Sequence, residues 1–133
     1  MSDNALKTIR QMCDDFDVTP RTLRFYEAKE LLSPIRQGTR RLFTRRDRVR
    51  LKLILRGKRY GFSLDEIGQF LDMYETGKQQ AGQIARVQEM ATRRLADMER
   101  ERADLDAAIR DLRQELAESG KRFAGVHDEA TAG

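Results

Sequence analysis

The stretch Thr19–Leu32, TPRTLRFYEAKELL, decides how the rest of the chain is read. Threonine followed by proline opens a helix: the hydroxyl caps an orphan amide, and Pro20 stands where a missing N–H costs nothing. On a 100° wheel, Leu23 and Tyr26 point one way, with the stem of Glu30 beside them. Arg21, Arg24, Phe25 and Ala28 point the other way, and Thr19 and Thr22 stand at the start. Leu23 and Tyr26 are therefore the core side. An exposed phenylalanine between arginines is unusual for a merely solvated face. It suits a surface where an aromatic ring meets bases or sugars while guanidiniums take phosphates or guanine edges. The plainer alternative is that Phe25 packs under a neighbouring element and the arginines only solvate.

Upstream, Thr8-Ile-Arg-Gln11 has capping-box form, and Ile9, Met12, Cys13 and Phe16 follow at i, i+3, i+4 and i+7. Two short helices across the Asp17-Val18 break make a helix-turn-helix. Downstream, Ser33-Pro34 stops the second helix. Residues 33–43, SPIRQGTRRLF, carry turn chemistry at Gln37-Gly38 and predict a two-stranded ribbon, or wing. Thr44 caps a third helix over 45–60. Its Arg45, Arg48, Lys52, Arg56 and Arg59 fall on one stripe that would follow a phosphate backbone, with Lys58 nearby. Val49, Leu53 and Tyr60, with Leu51, Ile54 and Leu55, are expected on its buried side. Ser63-Leu-Asp-Glu66 is a further capping box. Ile67, Phe70, Leu71 and Tyr74 give a fourth helix its apolar face, and Gly77 is expected to end it.

The last helix has a different pattern. Positions 84, 88, 91, 95, 98, 102, 105, 109, 112 and 116 read Ile, Gln, Ala, Leu, Met, Arg, Leu, Ile, Leu, Leu, so eight of ten are apolar at alternating 4/3 spacing. That is a coiled-coil seam, too narrow to be buried without another helix against it. Ile84, Ala91, Leu95, Met98, Leu105, Ile109, Leu112 and Leu116 are the candidate dimer contacts. The predicted organisation is mostly α: a winged helix-turn-helix with a helix pair (1–76), a linker (77–83), a coiled-coil dimerisation helix (84–118) and a disordered tail (119–133).

Charge is segregated along this plan. Residues 34–60 hold eleven Arg/Lys and one acid, whereas 84–118 hold seven Arg and nine acids. A basic block points to a polyanion, with a solvated helix face as the bland alternative. The chain shows no apolar run of membrane-spanning length and no signal peptide, and it has a single cysteine; together these predict a soluble cytoplasmic protein. Cys13 sits on an apolar helix face and reads as core, and His127 is isolated. No ligand cluster, phosphate loop or nucleophile–base pair appears, so neither a metal, a cofactor nor an enzyme is expected.

The stretches TPRTLRFYEAKELLSP and GTRRLFTRRDRVRLKLILRGKRYGFSLDEI, followed by the terminal heptads, resemble the MerR family of bacterial transcription regulators over about residues 7–118. The RDRVRLKLILRGKR run is most similar to the LiuR-like subgroup, which controls branched-chain amino-acid and fatty-acid catabolism. The resemblance implies a homodimer joined by an antiparallel coiled coil. Each winged domain would enter the major groove of a palindromic promoter site. The DNA-facing residues would be Thr19, Arg21, Thr22, Arg24 and Phe25, the wing's Arg36, Arg40, Arg41 and Phe43, and the basic stripe with Lys58. It also implies distortion of the promoter spacer so that RNA polymerase engages both elements. Family wings commonly carry tyrosine where this chain has Leu42 and Phe43, which removes the hydroxyl a phosphate contact would use. The cysteines of the metal-sensing members are missing, as is the large ligand domain of the drug-sensing ones. An unidentified small-molecule effector would have to bind near Phe70, Tyr74 and Ile84. The competing reading from another class is an architectural or excisionase-like DNA-binding dimer without an effector.

Overall fold

The computed structural model describes residues 5–75 and 81–132, with side chains of the last helix described over 82–121. The elements are β1 (Lys7–Thr8), α1 (Ile9–Phe16), α2 (Pro20–Ala28), β2 (Ile35–Gln37), β3 (Arg40–Phe43), α3 (Arg45–Tyr60), α4 (Leu64–Glu75) and α5 (Ala81–Ala132). Two compact units result, residues 1–89 and the remainder of α5. Among the described residues no helix is long and apolar enough to cross a membrane.

The helix starts lie where the caps predict. Thr8 and Gln11 form a reciprocal capping box, Thr19 Oγ1 accepts the Thr22 amide, and the Thr44 and Ser63 boxes close on Asp47 and Glu66. Each such cap contributes about 1 kcal/mol. Asp17, in the left-handed region at φ 54, ends α1, so a three-residue turn joins it to α2.

The wing is a β2–β3 hairpin in which Gly38 takes φ 61 at the first turn position, a conformation L residues rarely adopt. It is not the two-stranded ribbon expected. Lys7 and Thr8 pair with Phe43 and Leu42, giving a three-stranded sheet in the order β1-β3-β2. Two residues are too short a run to carry an alternation that a sequence pattern can reveal.

Met12, Leu23, Tyr26, Leu31, Leu32, Phe43, Leu51, Ile54, Phe62, Ile67 and Leu71 form one core, with Cys13 packed partly buried against it. Burial and the neighbouring Asp14 push the Cys13 thiol above its ordinary range, away from reactive thiolate. The α3–α4 contact is close at Gly57, where a Cβ would stand 2.7 Å from Ile67 Cγ1.

The buried side of α3 differs from the expected one. Val49 and Tyr60 are exposed, and the inward positions are Asp47, Arg50, Leu51, Ile54 and Gly57. The spacing is helical, but two of its members are charged and so broke the apolar pattern. Both are satisfied. Asp47 accepts the Ser33 amide at 3.0 Å and the Thr44 amide at 3.2 Å. Arg50 donates Nε to the Leu31 carbonyl at 2.6 Å and pairs through Nη1 with Glu75 at 2.8 Å. These two side chains therefore fasten the segment between α2 and the wing onto α3.

Two boundary expectations change. α5 begins at Ala81, inside the expected 77–83 linker, and its backbone stays helical past Glu118 to Ala132, where a disordered tail was expected. Residues 119–132 contain no proline, and their two glycines lower helix propensity without blocking backbone bonds. The proposed stop at Gly77 lies outside the described residues.

Candidate nucleic-acid interface

The interface is built outward from α2. Leu23 and Tyr26 are buried and fix the helix's rotation, and burial pushes the Tyr26 phenol above its ordinary range. Arg21 and Arg24 are then exposed, and Phe25 is 47% exposed, with Lys29 Nζ 5.7 Å from its ring centroid. Phe25 does not lie under the wing. Thr19 and Thr22 are engaged with one another in the cap, their hydroxyls 2.9 Å apart.

The wing divides the predicted contacts. Arg40 is exposed beside the hairpin turn. Phe43, expected to face DNA, is fully buried in the core. Burial along β3 rises steadily from exposed Arg40 to buried Leu42 and Phe43, with no alternation: Phe43 pairs with Lys7 of β1 at the end of the strand, where the chain has passed from solvent onto the domain. Arg36 and Arg41 reach back to α2 and pair with Glu27, at 2.6 Å each. Burial alone would raise the Glu27 carboxyl, but the bonds from Arg41 and Arg36, with their charges, outweigh it and hold it below the ordinary carboxylate range.

On α3, Arg45, Lys52, Arg56, Lys58 and Arg59 are exposed, and Arg48 donates to the Ala5 carbonyl at 2.6 Å. Arg46 and Arg50, unlike the stripe, are tied to Glu75 at the end of α4, both at 2.8 Å. The bond from Arg46 lowers the Glu75 carboxyl most, burial opposes it, and Arg50 completes the lowering. Basic side chains in this block thus serve two purposes. Arg36, Arg41, Arg46 and Arg50 hold elements together, while Arg40, Arg45, Lys52, Arg56, Lys58 and Arg59 present charge to solvent. Glu27 and Glu75 were missed by sequence reasoning, because their partners lie 9 to 29 residues away and no local pattern connects them.

Phe70 and Tyr74 do border a common groove of about 210 Å³, along with Tyr60, Phe62 and Met73, but Ile84 is not part of its lining. Among the described residues no group of three or more His, Cys, Asp or Glu is placed to hold a metal ion.

Comparison with known proteins agrees with this architecture. The "MerR HTH family regulatory protein" model matches residues 7–74, and the "MerR, DNA binding" model matches residues 48–115. An uncharacterised HTH-type transcriptional regulator of Pseudomonas aeruginosa is 33% identical over 103 residues, covering 76% of this chain and 75% of its own. PbrR691 of Ralstonia metallidurans, solved in complex with lead(II), is 28% identical with a TM-score of 0.61, over 80% of this chain and 84% of its own. HiNmlR, a MerR family regulator lacking the sensor domain and solved on promoter DNA, shares the fold at TM-score 0.65 and 23% identity, over 90% of this chain and 94% of its own. A capped helix-turn-helix with a wing, a helix pair, a long terminal helix and two family models that each match half of its residues make this chain a member of the MerR family of DNA-binding transcription regulators, and not an enzyme.

Proposed function

We propose that the chain acts as a homodimer on a palindromic promoter site, each copy placing α2 in the major groove with the wing and the α3 stripe on the flanking backbone. The observation that carries this reading is the face of α2: Arg21, Arg24 and Phe25 exposed on a helix whose opposite side is locked by buried Leu23 and Tyr26. Phosphate contacts position a protein and base-edge contacts specify its site. Arg21 and Arg24 suit the second task, and Arg40, Arg45, Lys52 and Arg56 the first. The capture of promoter DNA by HiNmlR, which has the same fold, supports the assignment.

The partner for the second half-site is another copy of the chain, joined through the α5 stripe, where Leu95, Leu105, Leu112 and Leu116 are all more than half exposed. Two rigidly spaced reading heads impose their own geometry on the duplex. Bending by 40–90° costs on the order of 1–6 kcal/mol, which the extra contacts must offset. On this reading the dimer sits between the promoter elements, and its distortion of the spacer sets whether RNA polymerase engages both.

Selection of bound fragments from genomic DNA, then footprinting with a probe of base unstacking, tests the reading. Protection of two half-sites about one helical turn or a multiple apart, with reactivity at the centre, is the expected result. Protection of a single unrepeated site excludes the symmetric dimer. A straight, unreactive centre leaves occlusion in place of distortion.

A further inference from the structure

Glu27 sits near the end of α2, on the helix that presents Arg21, Arg24 and Phe25, with its side chain only 16% exposed. Its Oε1 accepts from Arg36 Nε at 3.1 Å and Nη2 at 2.6 Å, and its Oε2 accepts from Arg41 Nε at 2.6 Å. Arg36 and Arg41 are directly opposite one another in the β2–β3 register. Like charges facing across an antiparallel pair repel. One carboxylate from the reading helix is thus the counter-ion for a cross-strand pair of wing arginines. A carboxylate held by guanidiniums in this way occupies the position that a phosphate oxygen would take.

We propose that Glu27 is a specificity-determining positioning residue: it takes the place of a DNA phosphate on Arg36 and Arg41, fixes the wing against α2, and withholds two cationic contacts from DNA of arbitrary sequence. Binding without sequence preference is driven almost wholly by phosphate neutralisation. A phosphate approaching these arginines competes with a carboxylate that already holds both Nε donors and cancels one of their two charges, so less is gained than at free arginines. The base-reading side chains on the same helix are untouched. A phosphate contact alone would change both affinities alike, but the wing register that Glu27 fixes against α2 serves the cognate complex, so Glu27 lowers affinity for random DNA more than for the cognate site. This inference rests on the assignment of α2 and the wing to DNA.

The test uses the full chain and fluorescence anisotropy on two duplexes, a random sequence and the selected site, each titrated with salt. Glu27→Gln keeps the shape and some hydrogen bonding but removes the charge. It is expected to raise random-sequence affinity severalfold and to steepen the log–log salt slope by about 0.9–1.8, for one or two phosphates newly neutralised. The ratio of cognate to random affinity falls accordingly. Glu30→Gln removes the same charge from an exposed position and controls for simple electrostatics; its change in slope is expected to be clearly smaller.

Equal slopes for the two variants overturn the proposal, as does a Glu27→Gln protein that loses affinity for both duplexes at unchanged slope, the signature of a purely structural role. Where Glu27→Gln does not fold, Arg36→Gln and Arg40→Gln decide. Arg36→Gln is expected to flatten the slope by less than Arg40→Gln, and an equal effect refutes the idea. A wild-type chain with a flat salt response would instead remove the DNA assignment on which the inference rests.

Discussion

Arg21 and Phe25 occupy the exposed face of a helix whose rotation the core fixes, so on the proposed function their removal is expected to be read in DNA binding and not in folding. Arg21→Ala is expected to reduce discrimination between the cognate palindrome and a mutated half-site by about 1–3 kcal/mol, the range for a lost bidentate base contact. Phe25→Ala should impair binding while leaving the melting temperature nearly unchanged, because a ring 47% exposed contributes little core burial. Loss of cooperative unfolding in Phe25→Ala would return that residue to the core. Glu75 gives a pH prediction. Its folded carboxyl is lowered by Arg46 and Arg50, so its stabilisation is fully present above the unfolded value of about 4.3 and is lost as pH falls through the folded one. Thermal melts from neutral pH down should therefore show an acid loss that is smaller in Glu75→Gln, whose melting temperature is already lower at pH 7. The face of α2 was legible because one uninterrupted run carries both its cap and its wheel. The charged pins were not, since Asp47 and Arg50 look like surface residues until the chain folds the 31–33 segment over them.

The helix-turn-helix and the helix pair hold together by different means. α1 and α2 are set by their caps and the Asp17 turn, all readable locally. α3 and α4 are set by close approach at Gly57 and by Glu75 bridging Arg46 and Arg50 across 25 to 29 residues. Glycine inside a helix is less favourable than alanine by roughly 0.5–1 kcal/mol, so propensity alone would make Gly57→Ala stabilising. The packing reverses the sign. An added methyl would stand 2.7 Å from Ile67 Cγ1, on a side chain that is itself buried, so α4 or Ile67 must shift. Overpacking of this kind costs about 1–3 kcal/mol. Gly57→Ala is expected to unfold at lower denaturant with unchanged slope, and pairing it with Ile67→Ala, which removes the crowded Cγ1 and leaves Cβ at 3.9 Å, should cost less than the sum of the two single changes. A Gly57→Ala chain more stable than wild type would show that α3 and α4 are not held at this distance. The wing shows the opposite limit of legibility. Its turn was visible at Gln37-Gly38, one residue ahead of the observed Gly38-Thr39, but the third strand and the burial of Phe43 depend on Lys7 and Thr8 arriving from another part of the chain.

The chain places its basic block in one unit and an exposed apolar stripe in the other, and this division bears on the proposed dimer. The stripe on α5 leaves Leu95, Leu105, Leu112 and Leu116 at 56%, 61%, 57% and 63% exposure, with Met98 and Ile109 beside them. Fully burying one such side chain stabilises by about 1.5–3 kcal/mol, so the proposed second copy would gain by covering these leucines, against the entropy that association costs. Heptad spacing made this stripe legible over 84–118, whereas the helical continuation to Ala132 was not, because its small and polar residues carry no seam. Leu105→Arg places a charge in the middle of the stripe and changes no residue of the 1–89 unit, which holds the core. The expected product sediments as a monomer and keeps the cooperative melt of the N-terminal unit. It binds a palindrome no better than a single half-site, because linkage between the two reading heads is lost. Ile109→Arg should behave alike, while reversing a charge one position off the stripe, Arg110→Glu, should leave the proposed dimer intact. A Leu105→Arg chain that still sediments as a dimer would show that copies associate through another surface and that the heptad pattern serves some other helix.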